Sequence, residues 1–318
     1  MREYLDFEAP LQKLQAAIDA HQTEADKSSP LHLKKIEQLK EKYQATEAKV
    51  FKRLSAFETL AVARHPDRPH SNDYITHMVD DFRSIHGNRL GQDCPTTITG
   101  IGTIADRPVM LIGQVKGREL NDRIRCNFGM MSPVGYQKAN RAMRLAAKFK
   151  LPIITFIDTP GAYPGVKAEE DNQSGCIAEN LKLMSQLQTP IINCIIGEGC
   201  SGGALGIGVG DATLMLEYAS YSVISPEGCA SILWKSAEMK SLAATEMKLT
   251  AKDLLQHHLI DVMIPEGPGA AHQHPKRVYQ AVKNQLILEL DQLSQYTSAQ
   301  LLEKRFERLM LHALFGHE

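Results

Sequence analysis

Gly197-Glu198-Gly199-Cys200-Ser201-Gly202-Gly203-Ala204-Leu205-Gly206-Ile207-Gly208-Val209-Gly210-Asp211 is the stretch that decides the fold. Seven glycines in these fifteen residues follow an apolar run, Ile191 to Ile196, that reads as a buried strand. Ala204 to Gly208 carries no charge and reads as the start of a buried helix. Strand, glycine turn and helix together aim free backbone N–H groups at one point. The first N–H groups of a helix lack intrahelical acceptors, and the helix dipole makes that end positive. Gly202 and Gly203 have no Cβ, so a ligand can approach the backbone closely there. The pattern is a candidate oxyanion hole, a site for a developing negative oxygen.

Rival readings of the same glycines lead elsewhere. They can simply permit tight packing. A phosphate-binding loop needs Lys-Ser or Lys-Thr after the glycines, and none follows. Gly199-Cys200-Ser201-Gly202-Gly203 does satisfy the G-x-S-x-G nucleophile pattern. That chemistry requires a histidine base held by an acid. Downstream, His257, His258, His272 and His274 are the candidates, and none lies in a local pattern that marks a base.

Outside this stretch the chain has the composition of an ordinary globular protein. It has 318 residues, 43% hydrophobic and 23% charged, with a net charge of −1. This length suits one α/β core with helical additions. The near-zero charge gives no electrostatic case for nucleic acid or a membrane surface. No window approaches eighteen uninterrupted apolar residues, and the first ten residues hold no signal-peptide core. Six cysteines form no C-x-x-C pair, so neither disulfides nor a metal is expected, and the thiols imply a reduced, cytoplasmic setting.

In chain order, residues 1–57 read as a polar αα-hairpin. Asp6 is expected to cap its first helix, with Leu11, Leu14 and Ile18 as the apolar stripe. The turn is placed at Asp26–Ser29, and Pro30 opens the second helix. So polar a hairpin must lie on its own domain or on a partner. A short helix is expected over Asn72–Ser84. The α/β core then opens with a hairpin, Thr96–Ile104 and Val109–Val115. Lys116, Arg118, Arg123 and Arg125 follow in a loop whose charge suits an anionic ligand or a solvated surface. Ser132-Pro133 starts a helix running to Lys150, with Ala139, Ala142, Met143, Ala146 and Phe149 inward. Strands are expected at Pro152–Ile157, Pro190–Ile196, Leu214–Leu216, Tyr221–Ile224 and Asp261–Pro265. The loop from Asp158 through Pro160 and Gly161 to Gly165 should border the glycine turn. Ser225-Pro226-Glu227 and Thr250-x-x-Asp253 each start a helix, and two amphipathic helices from Pro275 finish the chain.

Several long strings resemble the carboxyltransferase alpha subunit of bacterial acetyl-CoA carboxylase. They are FIDTPGAYPG (156–165), the glycine stretch (197–211), and YSVISPEGCASILWK (221–235). LDFE, ARHPDRP, PVMLIG, KGRE and NFGM extend the resemblance over nearly the whole chain. It implies a crotonase-like (ClpP/crotonase) spiral of strand-strand-helix units. In that reading 1–85 is a helical extension, 86–270 the carboxyltransferase core, and 271–318 C-terminal helices that contact another subunit. The implied reaction moves the carboxyl group of carboxybiotin to acetyl-CoA, giving malonyl-CoA, the committed step of fatty acid synthesis. The biotin anion itself takes the methyl proton, so no protein base is needed. Gly202 and Gly203 are assigned by resemblance to the biotin oxyanion, with Ser201, Pro160, Gly161, Lys116 and Arg118 as shaping or binding residues. No covalent cofactor is implied. The implied partners are a zinc-ribbon beta subunit in an α2β2 assembly, a biotin carboxyl carrier protein and biotin carboxylase.

The sequence also departs from that pattern. Cys200 stands for glycine, Gly206 for alanine, Asn88 for aspartate, and Gln114-Val115 for His-Gln. Asp171-Asn172-Gln173-Ser174-Gly175-Cys176 stands where Arg-Gly-Gln-Ser-Glu-Ala is expected. If position 200 needs positive φ, a side chain there costs about 1–2 kcal/mol. The departures keep open a weakened, structural subunit of the same complex. A stand-alone crotonase-type hydratase or isomerase would need a carboxylate at the thioester, from Glu169, Glu170 or Glu198.

Overall fold

The computed structural model describes residues 3–23 and 30–311. The expected turn at Asp26–Ser29 lies outside them. The chain opens with α1 (Ala9–Thr23) and α2 (Pro30–Phe51), then α3 (Ala56–Ala63), α4 (Ser71–Met78) and β1 (Asp80–Ser84). The hairpin β2 (Thr97–Ile104) and β3 (Arg107–Gln114) leads to α5 (Leu120–Arg125), α6 (Pro133–Phe149) and β4 (Ile153–Thr159). Next come α7 (Val166–Glu170), α8 (Gln173–Gln186), β5 (Ile191–Cys200), α9 (Ser201–Leu205), β6 (Ala212–Leu216) and β7 (Ser220–Ser222). The remainder is α10 (Pro226–Leu233), α11 (Lys240–Glu246), α12 (Ala251–Gln256), β8 (Val262–Ile264), α13 (Ala270–Gln273), α14 (Pro275–Leu293) and α15 (Ser298–Leu311).

The strands form one sheet in the order β1-β2-β3-β4-β5-β6-β8, antiparallel up to β3 and parallel beyond. Every residue of β4 and β5 is buried, as parallel strands covered on both faces require. Successive stretches of β5 serve two neighbours: Ile192–Ile195 pair with β6, and Glu198–Cys200 pair with β7. One face is covered by α6 through Tyr136, Ala139, Ala142, Met143 and Ala146. Val278, Val282, Leu286 and Leu290 of α14 join the same core.

Four local expectations need correction. Asp6 does not cap the first helix; Glu8 reaches back to accept the Leu5 N–H at 2.9 Å. The helix expected over Asn72–Ser84 stops at Met78, and 80–84 become an edge strand because β2 offers them a ladder. Phe149 is 59% exposed, since it lies at the very end of α6 where the chain turns away. Gly197–Cys200, read as turn, continue β5, and the helix begins at Ser201 rather than Ala204.

The N-terminal hairpin lies on its own chain at its root. Leu11, Phe51, Val62, Tyr218 and Ala270 form a second core. Beside it the His65 and His272 rings stack at 4.0 Å, with the Glu8 carboxylate 3.6 Å from His272 Nε2. These are the one set of three metal-ligand side chains grouped together among the described residues. Near-parallel rings cannot both direct lone pairs at one ion. His65 also uses Nδ1 to accept the Asp67 N–H and lies 3.3 Å from the Glu3 carbonyl through Nε2. The cluster therefore fastens the hairpin.

Candidate functional site

The site is built where β4 and β5 lose their common register. Ile157 pairs with Ile195, but Thr159 pairs with Gly199, so β5 carries two extra residues between. The carbonyl of the bulged Ile196 accepts from buried Arg68 Nε at 2.7 Å. Arg68 is itself held by both oxygens of buried Glu266 at 2.9 and 2.7 Å. The bulge also turns Asp158 toward Glu198, whose N–H it accepts at 3.0 Å.

Beyond the bulge, β5 runs straight into α9. Ser201 takes φ +49°, the left-handed turn that reverses the chain and exposes the opening N–H groups of α9. Gly203 is buried against the neighbouring loop: a Cβ there would lie 2.3 Å from Gly161 C and 2.6 Å from Ala162 N. Gly161 has φ +148°, a conformation only glycine takes readily, and its N–H donates to Thr159 Oγ1 at 3.1 Å. Gly202 is more open, with Ile177 Cδ1 the nearest atom to its missing Cβ, at 3.6 Å. Thus Ser201, Gly202, Gly203 and Gly161 come together as the sequence anticipates, with Pro160 exposed beside them.

Two of the loop cations are placed differently. Lys116 Nζ lies 2.6 Å from Asp158 and 3.0 Å from Glu198. Burial pulls the Lys116 ammonium down, but the two carboxylates win and hold its pKa above the usual lysine value. Glu198 also pairs with Arg64 at 2.6 Å, and Arg64 reaches Glu227 at 2.8 Å. Burial pushes Glu198 up, yet Lys116 and Arg64 outweigh it and keep the carboxylate ionised. Arg118, half exposed, pairs with Asp73 across the surface. Sequence reasoning placed Asp158 beside the glycine turn but missed its pairing with Lys116, and it missed the site roles of Arg64 and Gln114, because their partners lie far off in the chain.

Alternative chemistries find little here. None of the four downstream histidines hydrogen-bonds Ser201: His272 stacks on His65, His274 pairs with Glu47, and His257 and His258 are exposed at the end of α12. Glu169 and Glu170 are exposed on α7, and Glu198 is committed to two cations. An apolar groove of 510 Å³ does open beside Ser201, lined by Leu205, Tyr221, Val223, Ile224 and Met247.

Several of the unusual residues find local accommodation. Cys200 has φ −124° and ψ 128°, ordinary strand geometry, so the feared positive φ falls one residue later, on Ser201. Asn172, where glycine is expected, takes φ +62° and caps α8 by accepting the Gly175 N–H at 3.2 Å. Its carboxamide lies 2.3 Å from where a Gly175 Cβ would stand, so the two changes are coupled. Asn88 donates to Gln137 Oε1 at 2.7 Å and accepts the Leu90 N–H at 2.8 Å. Cys200→Gly is therefore expected to give no gain in rate. It should cost about 0.5–1 kcal/mol from extra backbone freedom, read by thermal unfolding. A several-fold faster enzyme would instead mark Cys200 as an impairment.

The sequence matches the family described as acetyl co-enzyme A carboxylase carboxyltransferase-like over residues 4–313. It is 48% identical to the acetyl-coenzyme A carboxylase carboxyl transferase subunit alpha of Haemophilus ducreyi, covering 97% of this chain and 98% of that one. The subunit of the same name from Photorhabdus laumondii is also 48% identical, over 96% and 97% of the two chains. Among solved structures, transcarboxylase 12S superposes with TM-score 0.60 at 16% identity, over 73% of this chain and 42% of that chain. A Pseudomonas malonate decarboxylase hetero-tetramer in complex with coenzyme A gives TM-score 0.56 at 14% identity, over 69% and 87%. At such identities these two share the fold alone. The bulged parallel sheet, the glycine turn and end-to-end similarity to the curated subunits agree: the chain belongs to the acetyl-CoA carboxylase carboxyltransferase alpha-subunit family, with the crotonase-like α/β fold.

Proposed function

We propose that this chain is the alpha half of a carboxyltransferase that moves a carboxyl group from carboxybiotin, presented on a carrier protein, to acetyl-CoA. The observation that carries the reading is the pair Gly202–Gly203 opening α9, with Gly203 seated against Gly161. Carboxybiotin supplies an activated carboxyl group, and its release leaves negative charge on the ureido oxygen. The N–H groups of Gly202 and Gly203 are the donors for that charge, fixed in place before the reaction begins. The buried floor of β4 and β5 lowers the local dielectric beneath them, so each donor counts for more than it would in water. Gly161, Pro160 and Ser201 shape the approach. Arg118 is a half-exposed cation open to an anionic substrate, whereas Lys116 holds the floor. A second oxyanion site, for the thioester, falls to a beta subunit in an α2β2 assembly, with the carrier protein and biotin carboxylase as further partners. No described helix is long and apolar enough to cross a membrane, in keeping with a cytoplasmic enzyme.

The test is malonyl-CoA formation from acetyl-CoA and a carboxylated biotin donor, with the chain alone and with its beta partner. Activity only in the complex is the expected result. Inactivity of a well-assembled complex would overturn it in favour of a structural subunit, and enoyl-CoA turnover by the chain alone would establish a hydratase.

A further inference from the structure

Gln114 is the last residue of β3 and has no exposed surface. Backbone pairing of β3 with β4 ends at Gly113 and Phe156. Two residues on, the buried Asp158 N–H finds its acceptor in Gln114 Oε1 at 2.9 Å. At the other edge of the same amide, Nε2 donates to the Gly203 carbonyl at 2.8 Å. Tyr136 Oη reaches that carbonyl too, at 3.3 Å. One side chain thus ties the end of β4, where the Gly161 loop begins, to the turn that opens α9. The amide orientation is forced, since a flipped group would face N–H with N–H and oxygen with oxygen.

We propose that Gln114 is a positioning residue for carboxyl transfer: its amide sets the spacing between the Asp158–Gly161 loop and Gly203 with a group that has no titratable proton. This rests on the function proposed above. Misplacing catalytic donors by about 1 Å can cost on the order of 10²-fold in rate, so a spacer at this point acts on kcat.

Two substitutions of similar reach separate positioning from simple packing, because they should respond to pH in opposite directions. In Gln114→Glu the carboxylate still accepts from Asp158 N–H, but only its protonated form can donate to Gly203. In Gln114→His the neutral ring can accept at one nitrogen and donate at the other, whereas the imidazolium offers two donors and confronts Asp158 N–H. Other ionisable groups around the amide are Lys116, Asp158 and Glu198 at the strand ends, His70 ahead of α4, and Tyr136 on α6. All three proteins share them, so each variant is read against the wild-type complex at the same pH. The expected result is a kcat, relative to wild type, that rises toward acid for Gln114→Glu and falls toward acid for Gln114→His. The KM for acetyl-CoA should stay unchanged in both. Hydrogen exchange of residues 200–206, compared at matched pH, should loosen in step with the loss of kcat. Profiles parallel to wild type, an effect confined to KM, or unchanged exchange at 200–206 would each overturn the inference. A wild-type complex without carboxyl transfer would instead sink the functional reading, and the exchange comparison would then decide alone whether Gln114 sets the turn.

Discussion

Gly203→Val, in the complex with the beta subunit, is expected to abolish carboxyl transfer. Even the first carbon of a side chain would sit 2.3 Å from Gly161 C and 2.6 Å from Ala162 N, inside backbone that cannot rotate away. The turn and the Gly161 loop must separate, and the two N–H donors lose their aim together. Removing a single oxyanion donor costs about 2.7–4 kcal/mol, or 10²–10³-fold in kcat, and this change displaces both. Because it also strains the fold, Gly202→Ala is its necessary companion. A Cβ there meets only Ile177 Cδ1 at 3.6 Å, an ordinary contact, and alanine favours the helical backbone. Gly202→Ala should therefore leave thermal unfolding and assembly intact while its methyl group crowds the donors. A fall in kcat on the order of tenfold, about 1.4 kcal/mol, is expected. Full activity of Gly202→Ala in an intact complex would show that no ligand needs the bare face of Gly202.

This asymmetry between adjacent glycines was not visible in the sequence. The strand, the glycine turn and the neighbouring Gly161 loop were, because apolar runs and glycine clusters are local signals. What escaped is set by contacts across the chain. Gly197 to Cys200 look like turn residues but form strand because β7 supplies partners from Ser220 to Ser222. Gly197 itself is needed for a neighbour 39 positions upstream: a Cβ would lie 2.3 Å from the Asp158 carboxylate. The concern over Cys200 was one residue off for the same reason, since the length of β5 decides where the reversal falls. Gln114 could be noticed only as a departure from expectation; its two partners, Asp158 and Gly203, give it meaning.

Lys116 and Arg118 looked equivalent in the sequence, two cations in one loop, and should separate cleanly on mutation. Lys116 is 16% exposed and is the cation that neutralises Asp158, while Glu198 retains Arg64 when Lys116 is lost. Lys116→Met leaves a nearly buried carboxylate unpaired, a change that costs about 3–5 kcal/mol where no second cation helps. Asp158 still accepts the Glu198 N–H, so the low end is expected, about 3 kcal/mol, a fall in Tm of roughly 4–5 °C for a chain of this length. Transfer should fail as well, because Asp158 anchors the bulge beneath the glycine turn. Arg118 is half exposed, and its surface pair with Asp73 is worth at most about 1 kcal/mol. Arg118→Ala should leave Tm nearly unchanged and keep kcat, while raising the KM for acetyl-CoA several-fold if its free face meets the anionic end of that substrate. Parallel measurements of Tm, kcat and KM on the two variants in the complex decide the matter. A stable Lys116→Met protein with only a raised KM would return Lys116 to the substrate. A destabilised Arg118→Ala would show that the Asp73 pair, not a ligand, accounts for that residue.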